Sequence, residues 1–138
     1  MTMKRVDQGM AAAAASVLRR PVTDQLRSRY GQLPFMVRTA GLAATYAFLV
    51  AKSEPAEEIG QAYSAVADGI RAHLAGQSPL LATLTHNDQV VKALADLPAA
   101  DYARASMEIE ALAGWLRRLA EAAYRVDKAG SPAPGTAP

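Results

Sequence analysis

The stretch PFMVRTAGLAATYAFLVAK, residues 34–52, is the most apolar part of this chain. Thr39 to Ala51 are thirteen uncharged residues in succession. A bilayer span needs roughly 20 apolar residues, so the run is too short to cross one. Gly41, Ala43, Ala44, Ala47 and Ala51 give it small side chains that let neighbouring backbones approach. A helix apolar on nearly every side has its place at the centre of a helical bundle. Proline is tolerated in a first helical turn, so Pro34 is expected to open this helix, with Gly41 inside it.

On the N-terminal side, Val6, Met10, Ala13, Ala14, Val17 and Leu18 fall at three- and four-residue spacings and predict a helix from Met3 to Arg20. Arg19 and Arg20 suit the negative end of its dipole, and Pro21 ends it. Thr23 and Asp24 can cap a short second helix carrying Leu26, Arg27, Arg29 and Tyr30, closed by Gly31.

Downstream, Ser53-Glu54-Pro55 reads as a stop and restart. Ser53 is the expected N-cap, and Glu57 and Glu58 favour the positive end of the next helix. Ile59, Tyr63, Val66, Ala67, Ile70 and Leu74 form that helix's apolar stripe, broken at Gly76–Pro79. A short helix is expected over Asn87–Asp96, capped by Thr85. The longest runs from Ala99 to Lys128, with a seam of Tyr102, Ala105, Ile109, Leu112, Leu116, Leu119, Ala123 and Val126. Glu121 and Arg125 stand in the favoured i,i+4 order. The final AGSPAPGTAP has no charge and three prolines, and reads as a disordered tail over residues 129–138.

Alanine is abundant, β-branched runs are missing, and no segment alternates cleanly between apolar and polar residues. The fold class is therefore all-α: one compact domain over residues 1–128, a bundle of about six helices. A length of 138 residues is enough to bury a real core. With no cysteine, disulfides and thiolate metal sites are excluded. Asp7 and Gln8 interrupt the basic, alanine-rich start, so it reads as an ordinary helix rather than a signal peptide, in a cytoplasmic protein.

The net charge of +2 hides an asymmetry. Residues 1–52 hold eight basic and two acidic side chains, residues 53–101 two and seven, and residues 102–138 five and four. A basic first third suits a polyanion, and an acidic middle suits a different neighbour.

Catalytic chemistry is hard to assemble from these residues. His73 and His86 are isolated, without helical ligand spacing, and no metal-binding pattern or phosphate-cradling glycine loop is present. Glu108 and Glu110 point to different sides of their helix. No enzyme activity, catalytic residue, metal or other cofactor is expected. Membrane association is not expected either, because helix one carries alanine where an interfacial helix carries Trp, Phe or Leu.

Two motifs bear on function. The first is Leu33-Pro34-Phe35-Met36-Val37-Arg38-Thr39-Ala40-Gly41-Leu42, followed by Thr45, Phe48-Leu49 and Lys52. The second lies in the last helix: Tyr102, Glu110-Ala111-Leu112 and Trp115-Leu116-Arg117-Arg118-Leu119-Ala120-Glu121-Ala122. In this order, with Val6-Asp7-Gln8 ahead of them, they resemble the small helical subunit of type III-B CRISPR–Cas effectors, the Cmr complexes. The resemblance spans residues 1–128. One position departs from the family pattern: Ala40 stands where the family tends to carry Asn before Gly-Leu.

The resemblance implies a non-catalytic subunit acting in antiviral defense. Such subunits stack head-to-tail as a minor filament beside RRM-like backbone subunits that hold the guide RNA, and they line the channel of the guide–target duplex. Cleavage belongs to the backbone subunits and to the large subunit. Implied partners are those Cmr subunits, further copies of the same chain, and the crRNA and target RNA. Aromatics make up only 6%, too few for base-by-base stacking, so contact with backbone phosphate is expected. Arginine's planar fork suits phosphate. The RNA-binding candidates are Arg19, Arg20, Arg27, Arg29, Arg38, Lys52, Arg117 and Arg118. The interface candidates are Glu54, Glu57 and Glu58, which would meet the basic face of the next copy, and Trp115 as an anchor. The competing readings are a helical protein–protein adaptor without a nucleic-acid role and a helical bundle enclosing a small ligand.

Overall fold

The computed structural model describes residues 2–130, and among them there are only helices and their connections. They are α1 (Thr2–Val17), α2 (Asp24–Ala40), α3 (Leu42–Ala51), α4 (Glu58–Gln77), the single turn α5 (Pro79–Ala82), α6 (Asn87–Ala95) and α7 (Ala99–Ala129). Ala129 thus belongs to α7 and Gly130 caps it, while residues 131–138 of the expected tail lie outside the described residues.

The expected boundary between the second helix and the apolar helix falls elsewhere. Thr23 caps α2 as anticipated, its hydroxyl accepting from the Leu26 N–H at 3.2 Å. The helix then runs straight through Gly31 and Pro34. Proline lacks an N–H, so the bond to the Tyr30 carbonyl is missing, yet Pro34 is buried against α7 and the helix persists. The break comes at Gly41, whose φ of 96° is a backbone state that side chains with a Cβ rarely adopt. Gly41 closes α2 through its N–H to the Val37 carbonyl and opens α3 by accepting from the Thr45 N–H.

Helices α2 and α7 make the most extensive contact in the molecule. They run antiparallel, as paired residues show: Asp24 with Tyr124, Arg27 with Glu121, Arg38 with Glu110. Leu26, Tyr30, Leu33 and Val37 of α2 interlock with Ile109, Leu112, Leu116 and Ala120 of α7, all buried. Truncating one such leucine to alanine costs about 2–5 kcal/mol. The α7 seam drifts from a strict three–four step, because 3.6 residues per turn do not match a heptad. By its last turns the buried positions are Ala120, the expected Ala123 and Tyr124, while Leu119 is only half-buried and Val126 is 64% exposed.

The apolar segment is therefore not the axis of the bundle. Its second half, α3, packs on α4 and α6 with Leu42, Thr45, Tyr46 and Leu49 buried and Ala44 exposed. Phe48 meets Tyr63 of α4 edge-on, with ring centroids 5.6 Å apart. Helix α1 lies across α7 and α4, close because Gly69 has no Cβ: one placed there would sit 2.5 Å from Val17 Cγ2. It ends at Val17, so Arg19 and Arg20 lie beyond the helix rather than in its last turn.

Two further expectations shift. Ser53 does not cap α4; its hydroxyl donates back to the Leu49 carbonyl at 2.8 Å, and Glu57 is the residue before α4. Likewise His86, not Thr85, precedes α6, and its N–H donates to the Gln89 side chain at 3.2 Å. Between α4 and α6, Arg71 donates to the Leu84 carbonyl and to Asn87, which also accepts from the Tyr46 hydroxyl at 2.7 Å.

Candidate nucleic-acid interface

The α2–α7 seam is sealed below by leucines, but its outer edge opens into a shallow groove of about 760 Å³. Pro34 and Arg38 come from α2; Met107, Glu110, Gly114, Arg117 and Arg118 come from α7. The antiparallel pairing is what brings the two sequence motifs, seventy-odd residues apart, to one place.

Three of the expected RNA contacts, Arg38, Arg117 and Arg118, converge in this groove. Two are held in place. Arg38 Nε lies 3.2 Å from Glu110 Oε2. The Arg118 guanidinium stands over the Trp115 ring, 4.8 Å from its centroid, and folds above Gly114, where a Cβ would sit 3.7 Å from one of its nitrogens. Arg117 is exposed. Glu110 and Glu121 also line the groove, so its field is mixed rather than purely positive. Both partners of the Arg38–Glu110 pair are substantially exposed, and such pairs contribute at most about 1 kcal/mol. A phosphate can compete for the guanidinium at little cost.

The other candidates are distributed around the molecule. Arg27 borders the groove's far end, 3.6 Å from Glu121 and stacked 4.1 Å from the Tyr124 ring centroid. Arg20 is engaged structurally: its Nη2 lies 2.5 Å from Asp127 Oδ1, and the second carboxylate oxygen accepts from the Val22 N–H at 2.9 Å. The pairing raises the guanidinium pKa further, and the Arg20 hydrogen bond is the chief cause that holds the Asp127 carboxyl below the usual carboxylate range. Arg19 is exposed, with its backbone N–H donating to the Tyr30 hydroxyl at 3.0 Å. Burial pushes that Tyr30 phenol up. Arg29 lies on another side of α2, beside Ala62 and Tyr63 of α4. Lys52 follows the last residue of α3, a helix about 15 Å long by its rise, and stands two residues before Glu54.

Among the interface candidates, Glu54, Glu57 and Glu58 are exposed around the start of α4. Glu54 turns one oxygen onto the Ala56 N–H at 3.1 Å. Trp115 is half-buried beneath Arg118. His73 pairs with Glu108 at 3.1 Å, joining α4 to α7, while Glu110 faces α2, so the two glutamates do diverge. Among the described residues, no group of three or more His, Cys, Asp or Glu is placed to hold a metal ion, and no helix is long and apolar enough to cross a membrane.

A family model described as CRISPR-associated protein (Cas_Cmr5) matches residues 4–123. The chain belongs to that family. It is accordingly a CRISPR-associated subunit of the Cmr type, the small structural subunit of type III-B systems. No curated protein and no solved structure matches the chain. In this Cmr5-family chain both motifs have structural work besides any surface role. Leu33, Val37, Leu42, Thr45 and Leu49 of the first are buried, and so are Leu112, Leu116 and Ala120 of the second. Tyr102, half-buried, places its hydroxyl 3.0 Å from the Ala43 N–H and so caps α3 from across the bundle. Sequence reading missed that role, since nothing local marks a cap supplied from 59 positions away. It also missed Phe35, which is 64% exposed on α2, between the groove-lining Pro34 and Arg38, although an apolar run suggested burial.

Proposed function

We propose that this protein is a non-catalytic, cytoplasmic subunit of an RNA-guided Cmr effector, holding the phosphate backbone of guide–target RNA along its α2–α7 groove. The observation that carries this reading is the convergence of Arg38, Arg117 and Arg118 in one open groove of a Cmr5-family chain. Guanidinia match phosphate by their planar fork. Base pairing reads sequence in such complexes, and the protein need only grip the backbone. Arg27, at the end of the same groove, extends the track. Arg19, Arg29 and Lys52 lie away from it and are secondary contacts, while Arg20 serves the fold through Asp127.

In the complex, copies of the chain stack head-to-tail beside the RRM-like backbone subunits and the large subunit. The acidic edge formed by Glu54, Glu57 and Glu58 meets a basic face of the next copy, and Trp115 supports that face through Arg118. An interface of this kind joins unlike surfaces and propagates as a filament when it does not close.

The test is target-RNA binding by complexes reconstituted with the Arg117→Glu/Arg118→Glu variant. Binding is expected to weaken and to lose part of its salt dependence, because fewer counterions are released, with the helical circular-dichroism signal unchanged. Unchanged binding at low salt would remove these residues from the interface. A full chain with no RNA affinity even at low salt would favour the protein–protein adaptor reading instead.

A further inference from the structure

Phe35 has no counterpart elsewhere in the chain. The other aromatic side chains, all among the described residues, are buried or half-buried: Tyr30, Tyr46, Tyr63 and Tyr124 in the core, Phe48 against Tyr63, Tyr102 under α3, Trp115 under Arg118. Phe35 is 64% exposed, and it sits on α2 next to groove-lining Pro34 and one turn before Arg38. Residues three apart on a helix are surface neighbours, so Phe35 and Arg38, which Glu110 pairs, occupy adjacent positions on the α2 surface. Across the groove Met107 is 72% exposed. The groove thus has guanidinia along its length and Met107 in its lining, with Phe35 beside Arg38 on α2.

We propose that Phe35 is a stacking platform for an unpaired nucleobase, so that the groove prefers a single-stranded or splayed RNA segment over an intact duplex. This inference rests on the RNA-backbone reading of the same groove. An aromatic face beside arginines is the arrangement by which proteins hold single strands: the ring stacks on a base and the cations track the phosphates. Any base satisfies it, because every base has a π-face. Inside a duplex those faces are covered by neighbouring pairs, and Phe35 then gains little. An apolar protein surface is a poorer occupant, since closing over the groove would desolvate Arg38, Arg117 and Arg118 with only Glu110 and Glu121 to compensate.

The experiment uses the full chain with an unstructured single-stranded RNA and with the same sequence annealed to its complement. Phe35→Ala, a change at an exposed position, is expected to weaken single-strand binding about five- to 150-fold, the range for loss of one stacked base, and to change duplex binding by less than about twofold. Phe35→Trp is expected to keep single-strand affinity. Unchanged single-strand binding in Phe35→Ala, with clear weakening in Arg117→Glu, overturns the stacking role and leaves the backbone reading standing. Equal losses for both RNAs also overturn it. If Arg117→Glu changes nothing either, the backbone reading falls with it. If Phe35→Ala instead impairs assembly with the Cmr proteins in the absence of RNA, Phe35 is a protein contact and the proposal is wrong.

Discussion

Gly41 and Tyr102 together make the corner between α2 and α3. With φ at 96° and ψ at 162°, Gly41 occupies a region essentially closed to other residues. Space is not the constraint, since a Cβ there would meet the Tyr102 hydroxyl at an ordinary 3.5 Å. Gly41→Ala is therefore expected to destabilise by about 1–3 kcal/mol through backbone strain alone, read from the urea midpoint at unchanged slope. Tyr102→Phe keeps the ring and deletes only the acceptor for the Ala43 N–H. Loss of a helix cap costs about 1 kcal/mol, and the same titration measures it. Ala40, exposed at the end of α2, has no side-chain oxygen to cap α3, so Tyr102 supplies the cap that no local side chain provides.

Class, stripes and some helix starts were legible because they depend on local chemistry: Thr23 capping α2, the Tyr63–Leu74 stripe of α4 and the start of α7 at Ala99 appear as the sequence implies, while Ser53 and Thr85 do not serve as the expected caps. Gly31 and Pro34 misled for the opposite reason. Both are helix breakers by local preference, but α2 packs along most of its length on α7, and tertiary burial outweighs one missing backbone bond. The groove itself was legible only as two separate arginine sites, since its existence depends on the antiparallel register. Beyond its end, Asp127 latches the α1–α2 connection to the last turns of α7 through Arg20 and the Val22 N–H. Its carboxyl is held below the range it has in the unfolded chain. The unfolded chain thus binds the proton first as pH falls. The latch is fully stabilising above the ordinary carboxylate pKa of about 3.9, and that stabilisation is lost as pH drops through the lower folded value. Asp127→Asn is expected to flatten this acid limb in thermal melts recorded across acidic pH. A variant melting profile parallel to that of the parent at every pH would show that the latch contributes nothing.

Across the whole molecule, charge is laid out by helix. The exposed acids Glu54, Glu57 and Glu58 gather at the start of α4, while Arg38, Arg117 and Arg118 share the α2–α7 groove. If copies stack through these unlike surfaces, reversing either one should weaken self-association, and reversing both in separate copies should restore it. Glu57→Lys/Glu58→Lys and Arg117→Glu/Arg118→Glu are the paired variants. Each exposed ion pair contributes about 0.2–1 kcal/mol, so losing two and making them repulsive is expected to weaken association roughly tenfold, about 1.4 kcal/mol. Sedimentation at low salt reads the effect, and it should fade as the Debye length shrinks to about 8 Å at physiological ionic strength. Recovery in the mixture of the two reversed proteins is the decisive result, because general damage to either surface cannot be repaired by a second damaged copy. Weakening without recovery would mean that the acidic edge and the groove face different neighbours, with the groove left entirely to RNA.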